Sequence, residues 1–129
     1  MRKLILSFVI IISIMISSCE KNKVKLSLQG KWEIVNISIV EVENGVKIYE
    51  ENYLGKPGDY IDFRSDNKVY SEVDGVEDVG NYTLLKDNKV IVEGDTLEIR
   101  SLTKSSVTLF LKSYTNSTSF DESTINLIR

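Results

Sequence analysis

Histidine is absent from this chain, and cysteine, proline and tryptophan each occur once. Without histidine there is no imidazole to serve as general base or metal ligand. The single thiol, Cys19, rules out an intrachain disulfide and any Cys–His pair. The commonest catalytic constellations are therefore missing, and the chain is expected to be no enzyme and to need no cofactor. Basic residues do not dominate either: 16 Lys and Arg stand against 19 Asp and Glu. A nucleic-acid partner, which requires a basic stripe, is not expected. The densest acidic segment, Asp74 to Asp78, lacks the ligand spacing of a calcium loop, so no metal site is expected.

One long apolar run is present, and it lies at the N-terminus. Arg2 and Lys3 precede Leu4 to Ile16, which is interrupted only by Ser7 and Ser13 and ends in Ile16-Ser17-Ser18-Cys19. A basic start, an apolar stretch of this length and small residues before a cut are the parts of a secretory signal. The run is shorter than the about 20 apolar residues that cross a bilayer. Ile16-Ser17-Ser18-Cys19 resembles the bacterial lipobox, which implies diacylglycerol on the Cys19 thiol and cleavage before it. Residues 1–18 are thus expected to be a lipoprotein signal peptide, and Cys19 the lipid attachment site. Two or three acyl chains would hold such a protein stably on a membrane, where one holds only marginally. Glu20, rather than Asp, follows Cys19, which favours the outer membrane over inner-membrane retention. Processing leaves 111 of the 129 residues and removes Arg2 and Lys3, so the net charge moves from −3 to −5.

Residues 19–28 show no strong pattern and are expected to be a lipidated tether. From there to the end, short β-rich runs alternate with turn residues, and no stretch has a helical period. The expected strands are Lys31–Val42, Val46–Tyr53, Tyr60–Arg64, Lys68–Val73, Asn81–Leu85, Val90–Glu93, Thr96–Leu102 and Val107–Tyr114, with Thr124–Ile128 as a candidate last strand. Asn44-Gly45 suits a tight hairpin turn, and Gly55-Lys56-Pro57-Gly58 marks a loop. Asp74 to Asp78 reads as an acidic loop. Eight or so strands in series, each with one apolar face, fit an antiparallel up-and-down meander closed into a β-barrel. A two-sheet sandwich is the alternative. The expected inward set is Trp32, Ile34, Ile61, Phe63, Val69, Tyr82, Leu84, Leu97, Ile99, Leu109 and Leu111.

Gly30-Lys31-Trp32, at the start of the first strand, resembles the Gly-x-Trp signature of lipocalins. The segments Tyr60-Ile61-Asp62-Phe63-Arg64-Ser65-Asp66-Asn67 and Gly80-Asn81-Tyr82-Thr83-Leu84 are similar to those of small bacterial lipocalin-like lipoproteins. The resemblance spans roughly residues 28–114 and implies an eight-stranded lipocalin-like barrel over residues 29–129, plugged at one end by Gly30 and Trp32. It also implies a late arginine packed over the tryptophan, for which Arg100 and Arg129 are the two candidates. The second lipocalin signature, Thr-Asp-Tyr, is absent, as is a counterpart of the C-terminal helix.

The function expected on these grounds is that of a membrane-anchored, non-catalytic module binding a small apolar or amphipathic ligand. Phe63, Tyr82, Leu97 and Leu109 are the candidate ligand-binding residues. The alternative is a structural or interaction lipoprotein of the cell envelope, with a filled barrel and a protein partner. An eight-stranded barrel can be filled by its own side chains or hold one small ligand, and the inward residues leave both open.

Overall fold

The computed structural model describes residues 23–25 and 27–129. The expected signal peptide and Cys19 lie outside the described residues. Nine strands follow in order: β1 (Gly30–Glu43), β2 (Val46–Leu54), β3 (Tyr60–Phe63), β4 (Lys68–Val73), β5 (Val76–Leu85), β6 (Lys89–Val92), β7 (Asp95–Leu102), β8 (Ser106–Asn116) and β9 (Ser119–Ile128). All pairings are antiparallel: β1 pairs with both β2 and β3, each later strand pairs with the next along the chain, and β9 returns to β1 to close the sheet. The fold is a closed meander barrel; the sandwich alternative is excluded by that closing seam.

Nine assigned strands make an eight-stranded barrel because β2 and β3 run along the same edge of β1. β2 pairs with Asn36 to Glu43, and β3 pairs with Gly30 to Glu33. Between them the chain makes an excursion at residues 55–59. Gly55 is required there by close approach: a Cβ would lie 1.7 Å from the Ile34 carbonyl oxygen, while the Gly55 N–H donates to Val35 O at 2.9 Å. Val35 is a bulge residue in the pairing of β1 with β9, so the strand bends at this same point.

Tight turns join the meander. Asn44-Gly45 and Asp74-Gly75 have both residues at positive φ, the arrangement that matches strand twist in two-residue hairpins. The second of these corrects the expected acidic loop: the chain turns at Asp74-Gly75, and residues 76–80 form the first half of β5, paired with β4. The Ser/Thr/Asn segment after Tyr114 is likewise a hairpin, and β9 closes the barrel. A polar chain fixes this seam. Asn36 Nδ2 donates to Asn52 Oδ1 at 3.0 Å, Asn126 Nδ2 donates to Asn36 Oδ1 at 3.1 Å, and Thr108 Oγ1 donates to Asn126 Oδ1 at 2.8 Å.

The core fills the Trp32 half of the barrel. Trp32, Ile34, Phe63, Val69, Tyr82, Leu84, Leu97, Ile99 and Leu109 are buried as expected, with Ile61 and Leu111 partly buried against them. Leu28, Val90, Val107 and Leu127 are also buried. Residues 23–25 and 27–28 are helical, and Leu28 is fully buried, so the end of the expected tether belongs to the packed end of the barrel. A helical turn this short gives no period to read, which is why the sequence pattern is silent there.

Candidate functional site

The two ends of the barrel differ. At one end, Trp32 is wholly buried and its Nε1–H donates to Leu28 O at 2.8 Å. Of the two late arginines, Arg129 covers the indole, with its guanidinium carbon 3.9 Å from the ring centroid. Its fork donates to three carbonyls: Gln29 O at 2.7 Å, Ser27 O at 2.8 Å and Lys104 O at 2.9 Å. Arg100 instead stacks on Phe110, at 3.4 Å. Gly30 has φ of 119°, and a Cβ there would meet Arg129 Nη1 at 3.0 Å, so the glycine makes room for the arginine as well as for the bend.

Above this plug lies a cavity of about 120 Å³, lined by Ile61, Phe63, Val69, Ser71, Asp78, Gly80, Val92, Glu93, Leu97, Leu109 and Ile125. Strand register explains the set. Ile61, Ser71 and Asp78 lie abreast across β3, β4 and β5, and Phe63, Val69 and Gly80 form the next row towards the plug. Leu109 and Ile125 face them from the paired β8 and β9. Three of the four candidate binding residues, Phe63, Leu97 and Leu109, are on the cavity wall. Tyr82 is not on it. Its ring packs edge-on against Phe63, with centroids 5.1 Å apart, and its hydroxyl donates to Arg64 O at 2.6 Å. Burial raises the Tyr82 pKa, so the phenol stays protonated as a donor. Tyr82 is floor beneath the cavity, not wall, because the one-row offset between β3 and β5 sets Phe63 above it.

Sequence reasoning missed Ile125, Ser71, Asp78 and Glu93. Ile125 lay in the candidate last strand, and only the β1–β9 pairing turns it inward. Asp78 is masked by the run of acidic residues around it. Glu93 has φ of 49°, and its carboxylate folds back over Gly80 to accept the Asn81 N–H. A Cβ at position 80 would lie 2.5 Å from Glu93 Oε1, so the absence of a side chain there is what admits the carboxylate.

The barrel wall is lowest beside Glu93. β6 reaches only to Tyr82 along β5, and β7 reaches only to Phe110 along β8. The upper halves of β5 and β8 therefore rise on either side of a gap over the Glu93-Gly94 turn. On the opposite side, the loop at residues 55–59 is fastened by Asp59. This buried carboxylate accepts the Lys56 N–H at 2.8 Å, the Asp74 N–H at 2.9 Å and the Tyr53 hydroxyl. The Tyr53 hydrogen bond, followed by that from Lys56, lowers the Asp59 pKa; the same bond pushes Tyr53 up to about 12. Asp74 is paired with Lys56, and among the described residues no group of three acidic side chains converges on a point that could hold a metal ion.

These features define an eight-stranded antiparallel β-barrel with one end plugged and a small, mostly apolar cavity opening at the other. No family model and no curated protein matches the chain. Among solved structures, a deswapped triple mutant of bovine odorant binding protein is similar, with a TM-score of 0.48 and 15% identity over 80% of this chain and 74% of that one.

Proposed function

We propose that this protein is a lipid-anchored, lipocalin-like binding module that takes a small apolar or amphipathic ligand into the open half of its barrel. The observation that carries the reading is the unfilled space above the Trp32 plug, whose wall is built from Ile61, Phe63, Val69, Leu97, Leu109 and Ile125. A barrel whose only role were to display its outer surface would gain stability by filling that space, since apolar voids forfeit packing. Concave apolar sites with a few polar groups are where small ligands bind. Native mass spectrometry of the exported protein tests this. Co-purifying mass that is displaced by a small apolar competitor supports the reading; a protein that carries none and takes up none overturns it.

Lipidation at Cys19 completes the proposal. Lys23, the first described residue, begins the helical turn seated on the plugged end, where Lys25 Nζ donates to Asn67 Oδ1 at 3.0 Å. Lys23 is four residue steps from Cys19, a reach of at most about 14 Å of extended chain. The plug then faces the anchoring membrane, in our reading the outer membrane, and the cavity mouth faces away from it.

A second reading, an interaction protein of the envelope, is favoured by one feature. β2 is the edge of the sheet, and Val46, Ile48 and Leu54 on it are exposed, at 63%, 57% and 67%. Cross-linking in intact cells from position 48 would return a discrete protein adduct if β2 docks a partner, and none if it does not.

A further inference from the structure

The polar part of the cavity wall is of one kind. Among the described residues, Ser71, Asp78 and Glu93 supply its side-chain oxygens, with both carboxylates exposed to solvent, and no described lysine or arginine lines it. The strands bring them together. Ser71 and Asp78 are cross-strand partners, and Glu93 lies over Gly80, two residues along β5 from Asp78. Asp78 Oδ1 accepts the Val79 N–H at 2.9 Å, and Glu93 Oε1 accepts the Asn81 N–H, so both carboxylates are held in place by backbone. Neither Lys56 nor Arg64 is among the residues lining the cavity. Lys56 pairs with Asp74, and Arg64 pairs with Asp62 while lying 3.7 Å from the Tyr70 ring centroid.

We infer that the ligand is a small amphiphile with a cationic head, an apolar primary amine in chemical class, and not a fatty acid. The inference rests on the reading of the barrel as a binding module and specifies what that module selects. An ammonium group between Asp78, Glu93 and the Ser71 hydroxyl would find acceptors for its N–H groups and opposite charge at both sides. A carboxylate in the same place would meet two like charges and no donor stronger than a serine hydroxyl, which is discrimination by repulsion as well as by attraction. The same face of the sheet continues towards the mouth through Glu41 and its β9 partner Asp121, so the path to the cavity is also acidic. Such a field concentrates cations at the mouth.

Volume sets the size of the apolar part. A cavity of about 150 Å³ holds one benzene, and this one measures about 120 Å³. A space of this size matches one short chain or a small ring, about four to six carbons.

The test compares hexylamine, hexanol and hexanoate, which share one tail and differ in head charge. Each is titrated by calorimetry into the full-length protein in nanodiscs of zwitterionic lipid, with empty nanodiscs as blank. The expected result is the order amine, alcohol, carboxylate, with the amine at least about tenfold tighter than the alcohol. That margin should shrink as salt rises from about 0.01 to 1 M, where the screening length falls from about 30 to 3 Å. The double variant Asp78→Asn, Glu93→Gln keeps a side-chain oxygen to accept each backbone N–H and should bring amine and alcohol together. Equal binding of all three by the unaltered protein, or preference for hexanoate, overturns the cationic head and leaves the binding module standing. Binding of none overturns the module itself and this inference with it. Should the double variant fail to fold, the salt series on the unaltered protein decides.

Discussion

At the scale of single residues, the plugged end is an arrangement in which each group satisfies another. Trp32 fills the barrel end, Leu28 seals it from below and receives the indole N–H, and Arg129 covers the ring while collecting three carbonyls. Truncating Trp32 to Ala should destabilise the fold by about 3–5 kcal/mol in a urea titration, since the hole cannot collapse between strands held in register. Replacing Arg129 with Ala should cost less, about 1–3 kcal/mol, from the lost cation–π contact and the charge-assisted hydrogen bonds. Lysine at position 129 should recover only part of that, because an ammonium cannot present a planar fork to three acceptors. Cys19 is expected to act on location and not on folding. Cys19→Ser should abolish metabolic labelling by palmitate and release the protein from the membrane fraction, with its urea midpoint unchanged.

At the scale of elements, the informative region is the β2–β3 edge. The sequence pattern separates the two strands correctly but cannot show that they share one partner. That relation comes from Gly55, whose backbone lies against the Ile34 carbonyl, and from Asp59, which draws the excursion back to the β4–β5 turn. Gly55→Ala should therefore destabilise by more than about 2 kcal/mol, because backbone and not a side chain must move. The Asp59–Tyr53 bond also gives a pH signature. The Asp59 pKa is lowered on folding, so its contribution is complete above the ordinary carboxyl value of about 4 and is lost as pH falls further. The Tyr53 pKa is raised, so its contribution is complete below the ordinary phenol value of about 10 and is lost as pH rises through about 12. Stability measured against pH should thus show an acid limb that Asp59→Asn flattens and an alkaline limb that Tyr53→Phe flattens. A Tyr53→Phe protein whose alkaline limb matches the unaltered one would contradict the assignment.

At the scale of the whole molecule, the barrel is packed below and hollow above. Filling the hollow should trade function for stability. Ser71→Leu adds an apolar side chain to the cavity wall and should raise stability by about 1 kcal/mol through added apolar burial. It should also lower affinity for any cavity ligand by more than about tenfold in the same calorimetric titration. Unchanged affinity would place the ligand somewhere other than the cavity. The mouth is shaped by unequal strand lengths: β6 has four residues while β8 has eleven, which is why the wall drops beside Glu93.

Strand alternation, the Asn44-Gly45 turn and the Gly30-Lys31-Trp32 start are local features, and from them the sequence by itself determined an all-β meander and most of its core. The apolar faces of β7 and β8 could be read residue by residue because alternation is a property of neighbours in the chain. Closure through β9, the choice of Arg129 over Arg100, and the burial of Leu28 depend on groups about 100 residues apart, and only the tertiary structure decided them. The same holds for the cavity. Phe63, Leu97 and Leu109 were visible as inward residues, but the carboxylates of Asp78 and Glu93 became part of the wall through strand register and the missing side chain of Gly80. Asp78 is exposed to solvent, as its acidic run suggests, and pairing with Ser71 decides only which face of the sheet it occupies.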